Sequence, residues 1–270
     1  MERPAWAPRS IDISVPSVSR IYDYFLGGSH NFEVDREAAR RAMEFTPGLP
    51  KIMQANRAFM RRAVRWAAGE GITQFLDVGS GIPTFGNVHE VAQAASPGAR
   101  VVYVDHDPVA VAHSQAVLEG NEHAGVVAAD LRKPHEILGS SVVQELIDPD
   151  RPVALLLVAI LHFVDDGDDP YTAVAELTEA LAPGSVLVLT HASYEGMPVT
   201  REQTEAMVDV YKDIRLPLIM RTRDEVARFF EGYDMVEPGL VPMPYWRPET
   251  DPQDEDPYAF CGFAGVGRTA

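Results

Sequence analysis

The stretch Phe75-Leu-Asp-Val-Gly-Ser-Gly-Ile-Pro-Thr84 runs from an apolar strand into a turn that contains two glycines. Gly79 and Gly81 remove side chains where the backbone must approach a ligand closely, and the helix start that follows supplies free N–H groups. A nucleotide-type ligand is therefore expected beside Gly79, Ser80 and Gly81. Because a pair of glycines also occurs in ordinary tight turns, the flanking residues must decide.

The region from residue 72 onward alternates short β-branched runs with longer helical stretches. Five runs are predicted strands: residues 73–78, 99–104, 125–129, 152–160 and 185–190. The clearest helices between them cover residues 109–118 and 173–181, and two final strands are predicted at 233–237 and 258–263. This pattern is typical of βαβ units, so we expect an α/β fold with an open, doubly wound, mostly parallel sheet. In such sheets, ligands lie outside the carboxyl ends of the strands.

The first 70 residues have a different pattern. Residues 1–17 are rich in proline and are expected to be a flexible lead, whereas residues 18–70 are expected to be a helical cap over the domain formed by residues 71–270. Asn56 is a candidate cap for a helix whose apolar face carries Phe59, Ala63, Trp66 and Ala67.

Arg57, Arg61 and Arg65 repeat every four residues on another face of that helix. Like charges at this spacing repel by roughly 0.2–0.5 kcal/mol per pair, so the row is expected to meet acidic groups of the domain. Further along the chain, helices are predicted at residues 201–213, capped by Thr200, and at 224–230. A flexible acidic loop is predicted at residues 249–257.

The composition limits the possible partners. The chain has 270 residues, 46% of them hydrophobic, with 23 basic and 40 acidic side chains and a net charge of −17. A strongly acidic protein is not expected to bind nucleic acid or an anionic membrane surface. The single cysteine, Cys261, cannot form an internal disulfide, and no signal peptide is recognised, so a cytoplasmic protein is expected. Residues 1–66 carry a net charge of +4 and residues 67–270 a net charge of −21.

Asp77 and Thr84 distinguish between nucleotide-type ligands. Thr84 stands where the dinucleotide fingerprint has its third glycine, and Asp77 places a carboxylate where a pyrophosphate would lie. Both features disfavour NAD. S-adenosylmethionine carries a sulfonium and an ammonium group but no phosphate, so a carboxylate beside the turn suits it.

Two more acids follow the next strands. Asp105 ends the second strand, 24 residues after Gly81, where a carboxylate can accept hydrogen bonds from two ribose hydroxyls. Asp130 follows the third strand and could accept from the adenine amino group, with Leu131 packed on the ring. Asp107 is instead expected to cap a helix. Three acids at three successive strand ends are much more specific than any one of them.

These motifs resemble those of the class I S-adenosylmethionine-dependent methyltransferases, through Asp77-Val-Gly-Ser-Gly, Val104-Asp-His-Asp-Pro and Ala128-Ala-Asp-Leu. The sequence is also similar, over residues 18–268, to an actinobacterial methyltransferase family long filed as a domain of unknown function. That narrower resemblance rests on Arg20-Ile-Tyr-Asp-Tyr-Phe-Leu-Gly-Gly-Ser-His-Asn-Phe-Glu-Val-Asp-Arg36, Asn56-Arg-Ala-Phe-Met-Arg-Arg-Ala and Gly265-Val-Gly-Arg268. The resemblance implies a seven-stranded sheet and S-adenosylmethionine as cofactor, with His106 and Ala159 beside it, but implies no substrate.

Two histidines are candidate catalytic residues. His162 follows the fourth strand, where this class places residues that flank the methionine moiety and the substrate, and His191 follows the fifth. Each could equally be a structural histidine held by backbone hydrogen bonds. A general base is needed only for an acceptor that is not already ionised.

The segment from Arg20 to Arg36 has the composition of a lid. Its aromatic residues could cover a ligand and attract a sulfonium, with Tyr22 the candidate for contact, and Gly27-Gly28 allows a sharp bend. The alternative is a helical turn whose aromatics are core residues. Arg61 or Arg62 is the candidate partner of the cofactor carboxylate.

The sequence therefore predicts a methyltransferase that transfers a methyl group in line to oxygen or nitrogen of a small molecule in an enclosed site. A protein that binds the cofactor as a sensor, without turnover, is the alternative, and an NAD-dependent oxidoreductase is disfavoured. The sequence shows no cysteine and histidine cluster with zinc spacing, so no metal is expected.

Overall fold

The computed structural model describes residues 12–195, 218–252 and 256–270. In this part of the chain, eight strands form a single sheet in the order β3-β2-β1-β4-β5-β8-β6, with β7 also paired to β8. The strands are β1 (Gln74–Val78), β2 (Arg100–Asp105), β3 (Ala124–Ala128), β4 (Ala154–Val158), β5 (Val186–Ala192), β6 (Asp234–Met235), β7 (Val241–Pro242) and β8 (Gly262–Arg268). Strands β1 to β5 are parallel and β8 is antiparallel to β5. The doubly wound α/β fold is confirmed.

The C-terminal part of the sheet differs from the expected seven strands. The single strand predicted at residues 233–237 is replaced by β6 and β7, two short strands that both pair with β8. The strand predicted at 258–263 begins later, because Pro257–Phe260 forms a 3-10 turn and Cys261 adopts a left-handed backbone with φ of 49°. Asp256 caps that turn through the N–H of Tyr258.

Helices cover both faces of the sheet. Three helices precede it: α1 (Val18–Phe25), α2 (Glu33–Phe45) and α3 (Leu49–Gly69). The others are α4 (Val88–Ala95), α5 (Pro108–Val117), α6 (Pro134–Leu138), α7 (Ser141–Leu146), α8 (Pro170–Glu179) and α9 (Arg223–Ala227). Successive residues of a strand point to opposite faces, so Phe75 packs beneath α3 and α4 whereas Leu76 packs beneath α7 and α8.

Helix α3 begins earlier than expected. It starts at Leu49 with Pro50 in its first turn, so Asn56 lies in its middle and does not cap it. The predicted apolar face is confirmed, because Phe59, Ala63 and Ala67 are fully buried. Asn56 is also buried, and its side chain is engaged by Tyr22 and Thr190.

The arginine row on α3 forms only one direct salt bridge in the described structure. Arg65 pairs with Glu249 at the start of the predicted acidic loop, of which residues 253–255 lie outside the described ranges. Arg57 instead donates to the side chains of Thr84 and Asn87, at 2.8 and 3.3 Å, and Arg61 packs against Gly86. The main direct contacts of these arginines are therefore with the loop after β1, not with acidic side chains.

Buried polar contacts fix the connection between α1 and α2. The Arg20 guanidinium donates to the Asp35 carboxylate at 2.8 Å, and both side chains are buried. Asp35 also accepts from the N–H groups of Ser17 and Phe32. At Gly28 a Cβ would lie 2.0 Å from a carboxylate oxygen of Asp23, so a residue with a side chain would clash there. Most polar residues of the segment from Arg20 to Arg36 therefore stabilise the structure of the segment itself.

The aromatics of this segment divide between the two expected roles. Phe32 packs against Ile82 and Val109 as a core residue, and Tyr24 packs on the main core. Tyr22 and Phe25 instead line a cavity. The predicted helix at 201–213 and its cap Thr200 lie outside the described residues, as does most of the predicted N-terminal lead. Within the described ranges, no helix combines the length and apolarity needed to cross a bilayer.

Candidate active site

A cleft lies outside the carboxyl ends of β1, β2 and β4, where the chain turns to opposite sides of the sheet. Ten residues that the sequence assigned to the cofactor line it: Tyr22, Asp77, Gly79, Ser80, Gly81, Asp105, His106, Asp130, Leu131 and Ala159. They come from α1 and four different strand ends, so the parallel sheet is what brings them together.

The glycine turn is tied to the neighbouring strand. The N–H groups of Gly79 and Ser80 donate to the Val104 carbonyl at 2.8 and 3.2 Å, and Gly81 donates to an Asp105 carboxylate oxygen at 2.8 Å. Gly79 has φ of 74°, and a Cβ there would come within 2.5 Å of Ile160. Gly81 has φ of 68° and open space where a Cβ would lie. The turn therefore leaves room for a ligand beside Gly81.

The acids at the strand ends have different environments. Asp105 is buried, accepts from the N–H groups of Gly81 and Asp107, and has a raised pKa because of its burial. Asp130 is half-exposed, and the Arg132 guanidinium holds its carboxylate at 2.6 to 3.1 Å and lowers its pKa. Asp107 caps α5 through the N–H of Val109, as expected.

Asp77 and Arg57 are oppositely charged residues that line the cleft beside the glycine turn. Asp77 lies two residues after Phe75 in β1, so its side chain points to the face that α3 covers. Burial raises the pKa of Asp77 to about 7, the positive charge of Arg57 lowers it, and the neighbouring Asp105 raises it further. Arg57 lines the same cleft, and its buried Nε has no hydrogen-bond partner in the described structure.

Arg62 does not line the cleft, which contradicts its predicted role. Its guanidinium donates to the carbonyl oxygens of Met243 and Trp246, at 2.8 and 2.9 Å, on another side of α3. Five residues correspond to a rotation of about 140° along a helix, so Arg57 and Arg62 cannot face the same site. The sequence signal that could have identified Arg57 is its place in the arginine row.

An apolar cavity adjoins the cleft. Its walls come from α1, α3, the ends of β4 and β5, and residues near Leu218 and Met243, and they include Ile21, Phe25, Leu49 and Ile52. The residues common to the cleft and the cavity are Val18, Tyr22, Asn56, Ala159 and Phe163. A ligand in the cavity would therefore meet one in the cleft at these residues.

The chain matches the family model described as S-adenosyl methyltransferase over residues 4–270. It belongs to that family. The cofactor of the family is S-adenosylmethionine. No curated protein matches the chain.

Two crystal structures resemble this methyltransferase over nearly their whole length. One is a provisionally assigned methyltransferase from Thermobifida fusca YX, 40% identical with a TM-score of 0.91, which covers 98% of this chain and 99% of that chain. The other is a DUF574 family protein from Streptomyces avermitilis, 38% identical with a TM-score of 0.90, covering 96% and 99% of the two chains. The narrower family resemblance drawn from the N-terminal motif is thereby confirmed.

A more distant structure shares the fold alone. It is the 1,6-didemethyltoxoflavin N1-methyltransferase of Burkholderia thailandensis, solved with 1,6-didemethyltoxoflavin and S-adenosylhomocysteine bound. The identity is 18%, the TM-score 0.50, and the coverage 87% of this chain and 89% of that chain.

Both predicted histidines of the methyltransferase reach the cavity, with ring centroids 5.6 Å apart. His191 donates from Nδ1 to the Ala192 carbonyl at 2.8 Å and accepts at Nε2 from Arg221 at 2.8 Å. Since an arginine only donates and a carbonyl only accepts, the proton of His191 is on Nδ1. Burial is the main reason that its pKa falls to about 4.

His162 is equally constrained. Its Nδ1 accepts from the N–H of Ala192 at 3.4 Å, so a neutral ring carries its proton on Nε2. Burial holds the pKa of His162 well below its usual range, and His191 and Arg221 lower it further. Arg221 engages the lone pair of His191, and the lowered pKa of both imidazoles makes each a weak base, which disfavours either ring as a general base.

Two polar residues of the site were not identified from the sequence. Asn56 and Thr190 are buried between the cleft and the cavity and are joined by a hydrogen bond of 2.7 Å. The sequence suggested a helix-capping role for Asn56, and Thr190 looked like an ordinary strand residue. Across the described ranges, no three histidine, cysteine or acidic side chains are grouped so that they could hold a metal ion.

Proposed function

We propose that this methyltransferase methylates a small molecule held in the apolar cavity. The observation that carries the proposal is the shared wall of Tyr22, Asn56 and Ala159, which puts the cavity in direct contact with the cofactor cleft. An apolar cavity suits a compact acceptor better than a polymer, and the net charge of −17 disfavours a polyanionic one.

The residues of the cleft match the chemistry of the cofactor. Asp105 is proposed to accept from the ribose hydroxyls, and Asp130 with Leu131 to hold the adenine. Asp77, facing Arg57 beside the glycine turn, is proposed to attract the ammonium group. The orphaned Nε of Arg57 makes this arginine, rather than Arg62, our proposed partner of the carboxylate.

The N-terminal helices complete the site in this proposal. Helix α1 contributes Val18 and Tyr22 to both the cleft and the cavity, and α3 contributes Asn56. When bound, S-adenosylmethionine supplies an activated methyl group on a positively charged sulfur. The protein's own task is to hold the acceptor in line with that methyl group and to exclude water. We propose residues 18–70 as the cap that does this.

Calorimetric titration tests the cofactor part of the proposal. S-adenosylmethionine and S-adenosylhomocysteine are expected to bind, and NAD is not, because Asp77 and Thr84 disfavour a pyrophosphate. A preference for NAD would contradict the proposal.

Turnover separates an enzyme from a sensor. Formation of S-adenosylhomocysteine is measured with a panel of small hydroxylated and amino compounds that have apolar bodies. A compound that accelerates product formation supports the enzyme, whereas tight cofactor binding without turnover on any member of the panel favours a sensor. Met53→Trp, which fills the cavity, is expected to abolish turnover but leave cofactor affinity unchanged.

A further inference from the structure

A chain of hydrogen bonds crosses the wall between the cleft and the cavity. The N–H of Ala159 donates to Thr190 Oγ1 at 2.8 Å, and Thr190 Oγ1 donates to Asn56 Oδ1 at 2.7 Å. Asn56 Nδ2 in turn donates to the Tyr22 hydroxyl at 2.8 Å. The chain therefore links the end of β4, through β5 and α3, to helix α1.

The direction of this chain follows the orientation of the Asn56 amide. The Thr190 hydroxyl accepts from the N–H of Ala159 and donates its own proton to Asn56 Oδ1. That contact orients the Asn56 amide with its NH2 group facing Tyr22. The oxygen of Tyr22 already receives a hydrogen, and its own proton must point elsewhere.

The Tyr22 proton has only a weak partner in the described structure. Tyr22 donates to the Met53 carbonyl at 3.3 Å, which is long for a hydroxyl donor. Burial raises the pKa of Tyr22, so the hydroxyl stays protonated at neutral pH. Tyr22 thus offers a hydrogen-bond donor where the cleft and the cavity meet.

The described lining of the cavity offers no carboxylate. The other titratable side chains there are His162, His191 and Cys261. Arg221 engages the lone pair of His191 at 2.8 Å, the N–H of Ala192 lies 3.4 Å from that of His162, and burial lowers the pKa of both rings. The described lining therefore presents a donor to the ligand but no strong base that could remove a proton from it.

We propose that the methyl acceptor is an ionised oxygen, such as a phenolate or an enolate, on a compact apolar molecule. The Tyr22 hydroxyl donates to that oxygen, and Asn56 and Thr190 are positioning residues that aim it. This inference rests on the proposed function and narrows its acceptor from oxygen or nitrogen to an oxygen anion.

The charge balance of the transfer agrees with this acceptor. An oxygen anion that takes the methyl group forms an O–C bond while the C–S bond breaks and its electron pair stays on sulfur. The products are a neutral methyl ether and a neutral thioether, and no proton has to be removed. A neutral amine would instead become a cation in an apolar cavity and would need a base, which the described lining does not supply.

Binding of 4-nitrophenol to protein loaded with sinefungin tests the proposal without turnover. Sinefungin carries an ammonium group in place of the sulfonium, and the phenolate form of the probe is distinguished from the phenol by its visible absorbance. We expect the bound probe to be the phenolate, with its apparent pKa lowered on binding. Tyr22→Phe should weaken phenolate binding about tenfold or more, as expected for a lost hydrogen bond to a charged group.

Thr190 provides a matched pair of variants. Thr190→Val removes a link in the chain of hydrogen bonds, so most of the shift in the probe's pKa should be lost. Thr190→Ser keeps the hydroxyl, so the shift should be retained. Both should bind sinefungin like the unmodified protein, which shows that the fold and the cleft are intact.

Three results would overturn the proposal. They are binding of the neutral phenol alone, no binding of the probe in either form, and phenolate binding that Tyr22→Phe leaves unchanged. Preference for 4-nitroaniline over the phenolate would also overturn it. These outcomes differ from failure of the proposed function, in which the unmodified protein would not bind sinefungin at all.

Discussion

The carboxylate of Asp105 at the end of β2 accepts a hydrogen bond of 2.8 Å from the backbone N–H of Gly81 in the turn after β1. A second N–H, that of Asp107, donates to its other oxygen at 2.8 Å. Asp105 therefore both shapes the glycine turn and lines the cleft where the cofactor's ribose is proposed to lie.

Asp105→Ala is expected to weaken S-adenosylhomocysteine binding by roughly 1.5–3 kcal/mol, or about 10- to 100-fold, because charge-assisted hydrogen bonds are lost. Calorimetry measures the change. Asp150→Ala removes the same charge from an exposed turn before β4 and should leave the affinity unchanged. If Asp105→Ala bound the ligand as tightly as this control, Asp105 would not belong to the site.

Cofactor affinity should depend on pH through Asp77. Its pKa of about 7 means that the carboxyl is ionised above this pH and takes up a proton below it. Since the ionised form attracts the cofactor's ammonium group, affinity should fall as the pH is lowered from 8 to 6. Calorimetry at several pH values should show this loss in the unmodified protein and a flat profile in Asp77→Asn.

The same group should affect the stability of the ligand-free protein in the opposite sense. The pKa of Asp77 is raised from its ordinary value of 3.8, so between about pH 4 and 7 the folded state binds a proton that the unfolded state has lost. Its contribution to the free energy of unfolding should therefore decrease as the pH rises through this window. Denaturant titrations should find that Asp77→Asn lacks this decrease, and equal pH profiles would disprove it.

Arg57 and Arg62 form a matched pair on one helix. Arg57→Gln should weaken S-adenosylhomocysteine binding by roughly 1.5–3 kcal/mol, because the proposed contact with the ligand carboxylate is lost. Arg62→Gln should leave the affinity unchanged and instead lower the denaturation midpoint, because two backbone carbonyls lose their donor. The reverse pattern would restore the role first predicted for Arg62.

The buried Arg20–Asp35 pair should be important for stability. Asp35→Asn leaves the buried Arg20 guanidinium with only the more distant Asp107 carboxylate, at 3.7 Å, and should cost roughly 1.5–3 kcal/mol of the free energy of unfolding for the lost charge-assisted hydrogen bond. Chemical denaturation gives this value. Glu33→Gln breaks exposed pairs with Arg36 and Arg40 and should have little effect. Similar effects of the two substitutions would show that burial does not determine how much the Arg20–Asp35 pair contributes to stability.

The fold and the cofactor cleft could largely be predicted from the sequence. The alternation of strand-like and helical stretches, the glycine turn and the acids at three strand ends are local patterns, and a parallel sheet brings the carboxyl ends of its strands to one edge. Ten of the predicted cofactor residues therefore line one cleft. The split of one strand into β6 and β7 was missed, because these two-residue strands depend on their pairing with β8. The starts of α3 and β8 were also placed wrongly.

The tertiary structure alone decided which side chains face the cleft and what each can do there. The choice of Arg57 over Arg62 depends on the rotation of α3 against the sheet, which no local pattern specifies. The proton positions on His162 and His191 depend on Ala192 and Arg221, and the donor role of Tyr22 on a chain that begins at Ala159. Secondary structure follows from neighbours along the chain, whereas hydrogen-bond direction and burial follow from neighbours in space.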